Sequence, residues 1–280
     1  MDIRSLPVYA INLPERRDRW KRFANSAAIH EFKNVRKVAA VNGRTLNKSQ
    51  ESKVSIHTRY NILRNYRRSH YEIVTMGAIG ASMSHIQCWK EFVESGAPLC
   101  IIMEDDAVWT PELVEQANTL YASMPAEWGI WTIGHHPSSI IFEPLHDEFG
   151  WNRVHNFTGA HSYMITKEAA KALLAEPYPI ETHIEFYMVA ISALNGFTII
   201  QHPSINVRCG FVERGQVISN SNTAHRNRYG CPTCNVQDDL SQIFSSVSRK
   251  TNRGVRVSRP LYERGAAGGG RKTRRQRRRV

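Results

Sequence analysis

At 280 residues with 41% hydrophobic content, the chain is long enough for one substantial core and too apolar for wholesale disorder. The net charge of +12 suggests nucleic-acid binding, but its position argues against that for the folded part: residues 248–280 carry 13 Lys and Arg against the one acid Glu263, so the remainder is neutral. Five scattered cysteines exclude a disulfide scaffold, and no run of about 18 apolar residues offers a membrane-spanning helix.

In chain order, residues 7–13 predict a buried strand, followed by Pro14 and a helix over 15–28. Residues 35–41 predict a second strand, closed by the turn pair Asn42-Gly43. Residues 44–75 are polar, basic and weakly periodic, and predict a long excursion with local helix at most. Ile79, Met83, Ile86, Phe92 and Val93 recur at helical spacing, and Gly96 supplies a left-handed stop, so a helix is expected over 79–95. The continuous apolar run 98–103 predicts a central strand covered on both faces, and it ends directly in Glu104-Asp105-Asp106.

Thr110-Pro111-Glu112 has the capping hydroxyl, first-turn proline and early acid of another helix. Residues 129–134 and 162–165 read as strands, and Thr166 caps a helix through 176. A further helix is expected over 184–194 with its stop at Gly196, then a strand over 197–201. Strands alternating with helices imply an α/β fold around a mostly parallel central sheet. Beyond about residue 236 Ser, Arg and Gly dominate, so a domain over 1–240 and a disordered Arg-rich tail over 241–280 are expected.

Three acids at the carboxyl end of a buried strand occupy the usual ligand position of an open α/β sheet. Extended geometry places Glu104 and Asp106 on one side and Asp105 on the other, so two carboxylates face a common point suited to a hard divalent cation. Helix capping or arginine pairing is the plainer account of the same residues. Cys231-Pro232-Thr233-Cys234, with Cys209 and His225, forms one tight ligand pair where a structural zinc site needs two.

Four segments occur in a specific order: Val8-Tyr9-Ala10-Ile11-Asn12-Leu13 with Arg16 and Arg19; Ala40-Val41-Asn42-Gly43; Gly77-Ala78-Ile79-Gly80 with Ser84 and His85; and the strand ending in Glu104-Asp105-Asp106. Over roughly residues 7–205 this order resembles glycosyltransferase family 25, which includes lipopolysaccharide and collagen β-galactosyltransferases. The resemblance implies a GT-A (Rossmann-like) nucleotide-sugar-binding domain and metal-dependent, inverting transfer of galactose or glucose from a UDP-hexose. The acceptor is then a hydroxyl of a glycan, glycolipid or protein.

It also implies that Asn12, Leu13, Arg16, Arg19, Gly80, Ser84 and His85 line the donor pocket. Arg16 and Arg19 are alternatively part of a solvated basic helix face. Glu104 and Asp106 would hold Mn²⁺ or Mg²⁺, with His202 as a further ligand by analogy with some GT-A enzymes. Either Glu181 or Glu185 would be the base, where the family's usual acids are aspartates. Tyr163 is either a sugar contact or a core residue.

The tail over 248–280 suits a nucleic acid or another acidic surface. An intracellular, cytoplasmic location is expected, with virion or nuclear association through the tail as the variants of it. Two competing readings remain: a catalytically degenerate domain acting through its tail, and a metal-dependent phosphoryl-transfer enzyme, which would need further acids for a second metal.

Overall fold

In a computed structural model the chain is described over residues 2–69, 71–137, 140–213 and 216–218. The Arg-rich tail, Cys231, Cys234 and His225 lie outside the described residues. No helix among the described residues is long and apolar enough to cross a membrane.

The elements in order are β1 (Pro7–Asn12), α1 (Arg17–Ala24), α2 (Ala27–His30), β2 (Asn34–Ala39), α3 (Lys48–Glu51), α4 (Ile56–Arg64), α5 (Met76–Ser95), β3 (Leu99–Glu104), β4 (Ala107–Val108), α6 (Pro111–Tyr121), β5 (Ile130–Gly134), β6 (Ile141–Pro144), β7 (Asn152–Asn156), β8 (Ser162–Thr166), α7 (Lys167–Ala175), α8 (Ile184–Asn195), β9 (Ile199–Gln201) and β10 (Arg208–Cys209). A two-stranded pair follows, β11 (Phe211–Glu213) with β12 (Gln216–Ile218).

The central sheet has eight strands in the order β2-β1-β3-β8-β5-β9-β7-β6. β1 pairs in parallel with β2 and β3, and β5 with β9, whereas β8 and β7 run against their neighbours. Six of the eight strands therefore point one way, which is the mostly parallel sheet expected, with two reversed members.

Alternation along the strands divides the core into two layers. Tyr9, Ile11, Cys100, Ile102, Tyr163 and Ile165 face α5 and α7, with Trp89 and Phe92 at the centre. Val8, Ala10, Ile101, Met103 and Met164 face the other layer, with Phe23, Trp109 and Trp151.

Several elements depart from expectation. The first helix begins at Arg17 and breaks at Asn25-Ser26, where Ser26 adopts extended backbone before α2. α5 begins three residues early because the Thr75 hydroxyl accepts from the Ala78 N–H and starts it. The excursion over 44–75 contains α3 and α4. β6 and β7 were not expected: in β7 the polar residues Asn152 and Asn156 are buried, so its alternation is hidden from a hydropathy pattern.

A short 3-10 turn over Gly43–Thr45 lies directly on α5. A Cβ on Gly43 would overlap the Met76 carbonyl, and one on Gly80 would stand 2.5 Å from the Val41 carbonyl. Glycine at both positions is thus required by backbone meeting backbone.

Candidate active site

β1 and β3 lie side by side, so their carboxyl ends bring Asn12 and the acids Glu104-Asp105-Asp106 together. The Asp105 N–H donates to the Ile11 carbonyl (3.0 Å) and the Glu104 N–H to the His161 carbonyl (2.8 Å). Because β8 runs opposite to β3, its first residues meet the last of β3, which brings His161 and Ser162 beside the acids. The Gly210 N–H donates to the Asp106 carbonyl (2.9 Å), so the segment after β9 packs against the same point.

β3 stops at Glu104, and Asp105 and Asp106 form a turn. The expected alternation of the three carboxylates ends there. Instead Asp105 Oδ1 (2.5 Å) and Asp106 Oδ2 (2.6 Å) converge on one nitrogen of Arg19, a guanidinium delivered by α1. The Asn12 amide donates to Asp105 Oδ2 (2.5 Å) and to the Arg16 carbonyl (3.1 Å).

Asp106 is 8% exposed, and its Oδ1 is buried with no hydrogen-bond partner among the described residues. Burial, with the charge of nearby Glu104, pushes its carboxyl up to about 7 in spite of Arg19. Burial likewise raises Asp105, against the pull of Arg19.

Glu104 is held by a hydrogen-bonded chain running into the core. The Trp89 indole donates to the Tyr163 hydroxyl (2.9 Å), which meets His85 Nδ1 (2.9 Å), and His85 Nε2 meets Glu104 Oε1 (3.3 Å). Indole N–H is only a donor, so the Tyr163 proton goes to His85 Nδ1, and His85 presents Nε2–H to the carboxylate. For Glu104, burial raises the carboxyl, but the His85 hydrogen bond, with the charge of Arg19 beyond it, outweighs this and holds it below its ordinary value.

The remaining candidates separate into those near the acids and those elsewhere. Glu185, in the first turn of α8, accepts from the Gly159 N–H (2.9 Å) just before β8, and its charge reaches His161. Glu181 is exposed, and its backbone carbonyl receives the Thr58 hydroxyl (3.4 Å). Leu13 is half-buried and its carbonyl accepts from the Arg16 N–H. Arg16, half-buried just before α1, pairs with Asp18 (2.6 Å), while its charge also reaches Asp105.

Three further residues have partners within the fold itself. Gly80 admits the backbone of the segment before α3, and the Ser84 hydroxyl donates to the Gly80 carbonyl (2.7 Å) while accepting from the Val41 N–H (2.9 Å). Both therefore shape the fold. His202 follows β9, three strand positions from β3, or roughly 14 Å at ordinary strand spacing. Its ring nitrogens meet the Ser204 hydroxyl (2.7 Å) and the Phe149 carbonyl (2.8 Å), so it is not assembled with the acids. Tyr163 is a core residue, not a surface contact.

The arginine pairing open to the acids is realised by Arg19 with Asp105 and Asp106, and His161 is an addition that no sequence signal marked. His161 has its Nε2 on the Val207 carbonyl (2.7 Å) and its ring 5.8 Å from that of His136. His135 is buried beside them, and burial, with His161 and His136, lowers it to about 4. A depressed histidine binds its proton in the unfolded chain first, so stability present above pH 6.5 is lost as pH falls towards 4, by roughly 3 kcal/mol for this group. Urea unfolding between pH 6.5 and 4.5 is expected to show that loss, and His135→Gln is expected to reduce the slope. Equal slopes in both proteins would remove His135 as its source.

The acids suit a hard cation by donor chemistry, and the orphaned Oδ1 of Asp106 is a ligand atom without an internal partner. Among the described residues no group of three or more His, Cys, Asp or Glu side chains is placed to hold a metal ion. Two carboxylates with substrate phosphates completing the shell is the arrangement that Mg²⁺-type ions use.

The family described as Glycosyltransferase family 25 (LPS biosynthesis protein) matches residues 5–188. Procollagen galactosyltransferase 1-A of Xenopus laevis is 34% identical over 101 residues, covering 35% of this chain and 16% of that protein. Procollagen galactosyltransferase 2 of Homo sapiens is 33% identical over 100 residues, covering 35% and 15%. Procollagen galactosyltransferase 1 of Danio rerio is 27% identical over 181 residues, covering 61% and 28%. The chain thus spans less than a third of the length of these relatives. Among solved structures, an apo UDP-glucose pyrophosphorylase is matched at 12% identity and a TM-score of 0.34, over 72% of this chain and 74% of that one.

Proposed function

The chain belongs to glycosyltransferase family 25, and from that premise we propose that it transfers a hexose, galactose or glucose, from a UDP-linked donor to a hydroxyl of a glycan, glycolipid or protein. The procollagen galactosyltransferases among its relatives support galactose as the sugar. The single observation that carries the reading is the acid turn at the carboxyl end of β3, with Asp106 Oδ1 buried and unpartnered.

Glu104 and Asp106 would hold Mn²⁺ or Mg²⁺. When bound, such an ion neutralises charge on a departing nucleoside diphosphate. His85 and Tyr163 orient Glu104, and Asn12 orients Asp105. Glu185 is the better candidate for the base that takes the acceptor's hydroxyl proton in an inverting transfer, because the Gly159 N–H aims it at the β8 end of the site. Glu181 lies exposed, away from that end.

The test is calorimetric titration of UDP-galactose and UDP-glucose with and without Mn²⁺. Binding of one sugar nucleotide that depends on Mn²⁺ is expected, at micromolar to millimolar strength on the order of common substrate affinities. If neither sugar nucleotide nor UDP binds, the donor-site reading fails.

A further inference from the structure

α4 is amphipathic the wrong way round for a helix of a water-soluble surface. The side it turns inward carries the polar residues Thr58 and Asn61, both buried, with Ile62 half-buried beside them. The opposite side carries Ile56, Tyr60 and Leu63, spaced four and three residues apart and therefore aligned in one stripe. They are 78%, 52% and 81% exposed, among the most exposed large apolar side chains described. Two more exposed rings, Tyr66 and Tyr71, follow within the same excursion.

At 100° per residue Arg59 lies on one flank of this stripe and Arg64 on the other, both exposed. Arg64 reaches over the Tyr60 ring (5.7 Å). Aliphatic tips outermost, tyrosines beside them and arginines on both flanks match the depth order of a lipid interface: acyl boundary, interfacial ring, phosphate headgroup. The helix is anchored beneath by its Ser55 cap and by the Ser55 N–H on the Ile180 carbonyl (3.2 Å), so the stripe is presented on a fixed support.

We propose that α4 is a docking surface for an anionic lipid membrane, with Ile56 and Leu63 inserting among acyl chains and Arg59 and Arg64 meeting lipid phosphates. This surface stands independently of the sugar-transfer reading.

The experiment uses the full chain with vesicles of phosphatidylcholine alone or with anionic phosphatidylglycerol. Hydrogen exchange is read over residues 55–66, together with co-sedimentation at low salt and at about 0.5 M salt, where screening shortens electrostatic reach to a few ångströms. Protection of 55–66 by anionic vesicles is expected, with sedimentation that persists at high salt and falls at least about tenfold in Ile56→Ser/Leu63→Ser. Both substitutions are on exposed residues, and an unchanged melting temperature checks that the variant folds. Vesicle binding with 55–66 unprotected and the double variant binding as the wild type would overturn the proposal and assign anchoring to the basic tail. Absence of binding, or self-association abolished by the double variant without any vesicle binding, would overturn it as well, the latter in favour of a second copy of the chain.

Discussion

Asp106→Asn is expected to lower sugar transfer and donor hydrolysis by at least about a thousandfold, on the order seen when a main charge-stabilising group of an active site is removed. The substitution keeps the shape of the side chain and leaves Arg19 its contact with Asp105. It takes a carboxylate out of a buried position where ionisation is already disfavoured, so little stability is at risk. The expected signature is a near-complete loss of turnover and of Mn²⁺-dependent donor binding, with the melting temperature within a few degrees of wild type. Turnover at the wild-type rate would exclude Asp106 from the reaction and with it the proposed cation site.

Arg19→Gln has the opposite profile, because its first effect falls on stability. Asp105 and Asp106 both lean on this one guanidinium, and breaking a buried ion pair from one side typically costs about 3–5 kcal/mol. Burial already holds both carboxyls above their ordinary values, and Arg19 is what pulls against it. Carboxyls raised in the folded state bind protons there before the unfolded chain does, so folding gains stability as pH falls through the folded values. The deficit of Arg19→Gln is therefore largest in alkaline solution and shrinks on acidification from pH 8 to 5. Urea unfolding across that range measures it. Adding Asp106→Asn to Arg19→Gln is expected to recover part of the loss, since neighbours sharing one interaction are not additive. A variant as stable as wild type at pH 8 would mean that the clamp contributes nothing to folding.

The two halves of the site differ in how far they could be read in advance. α5, β3 and the acid turn were legible because helical spacing, a stop glycine and an unbroken apolar run are local signals. That the strand stops at Glu104 was not legible, since three successive acids say nothing of where extended backbone ends. The consequence is large: a turn lets neighbouring carboxylates converge where a strand would part them. The partner they converge on lies 86 positions earlier in the chain, and basic residues on α1 gave no sign which of them turns inward. Arg16, just before the helix, pairs with Asp18 while Arg19 crosses to the acids.

The reversed direction of β8 was equally hidden, because a strand's hydropathy pattern is the same read either way. Yet that reversal is why the beginning of β8, and not its end, supplies His161 to the acids. Gly80 and Ser84 differ in another way. Small residues in a recognisable order suggest a ligand's close approach, and here the approaching backbone belongs to the chain itself.

The chain of contacts from Trp89 through Tyr163 and His85 to Glu104 has a property that none of its separate bonds shows. Passing a proton along such a line requires every member to accept on one side and donate on the other. An indole nitrogen has no lone pair free to accept, so the inner end of this line is closed. A proton arriving on Glu104 has no route into the core and can leave only towards solvent or substrate. The wiring fixes direction without conducting, which keeps the carboxylate ionised and still.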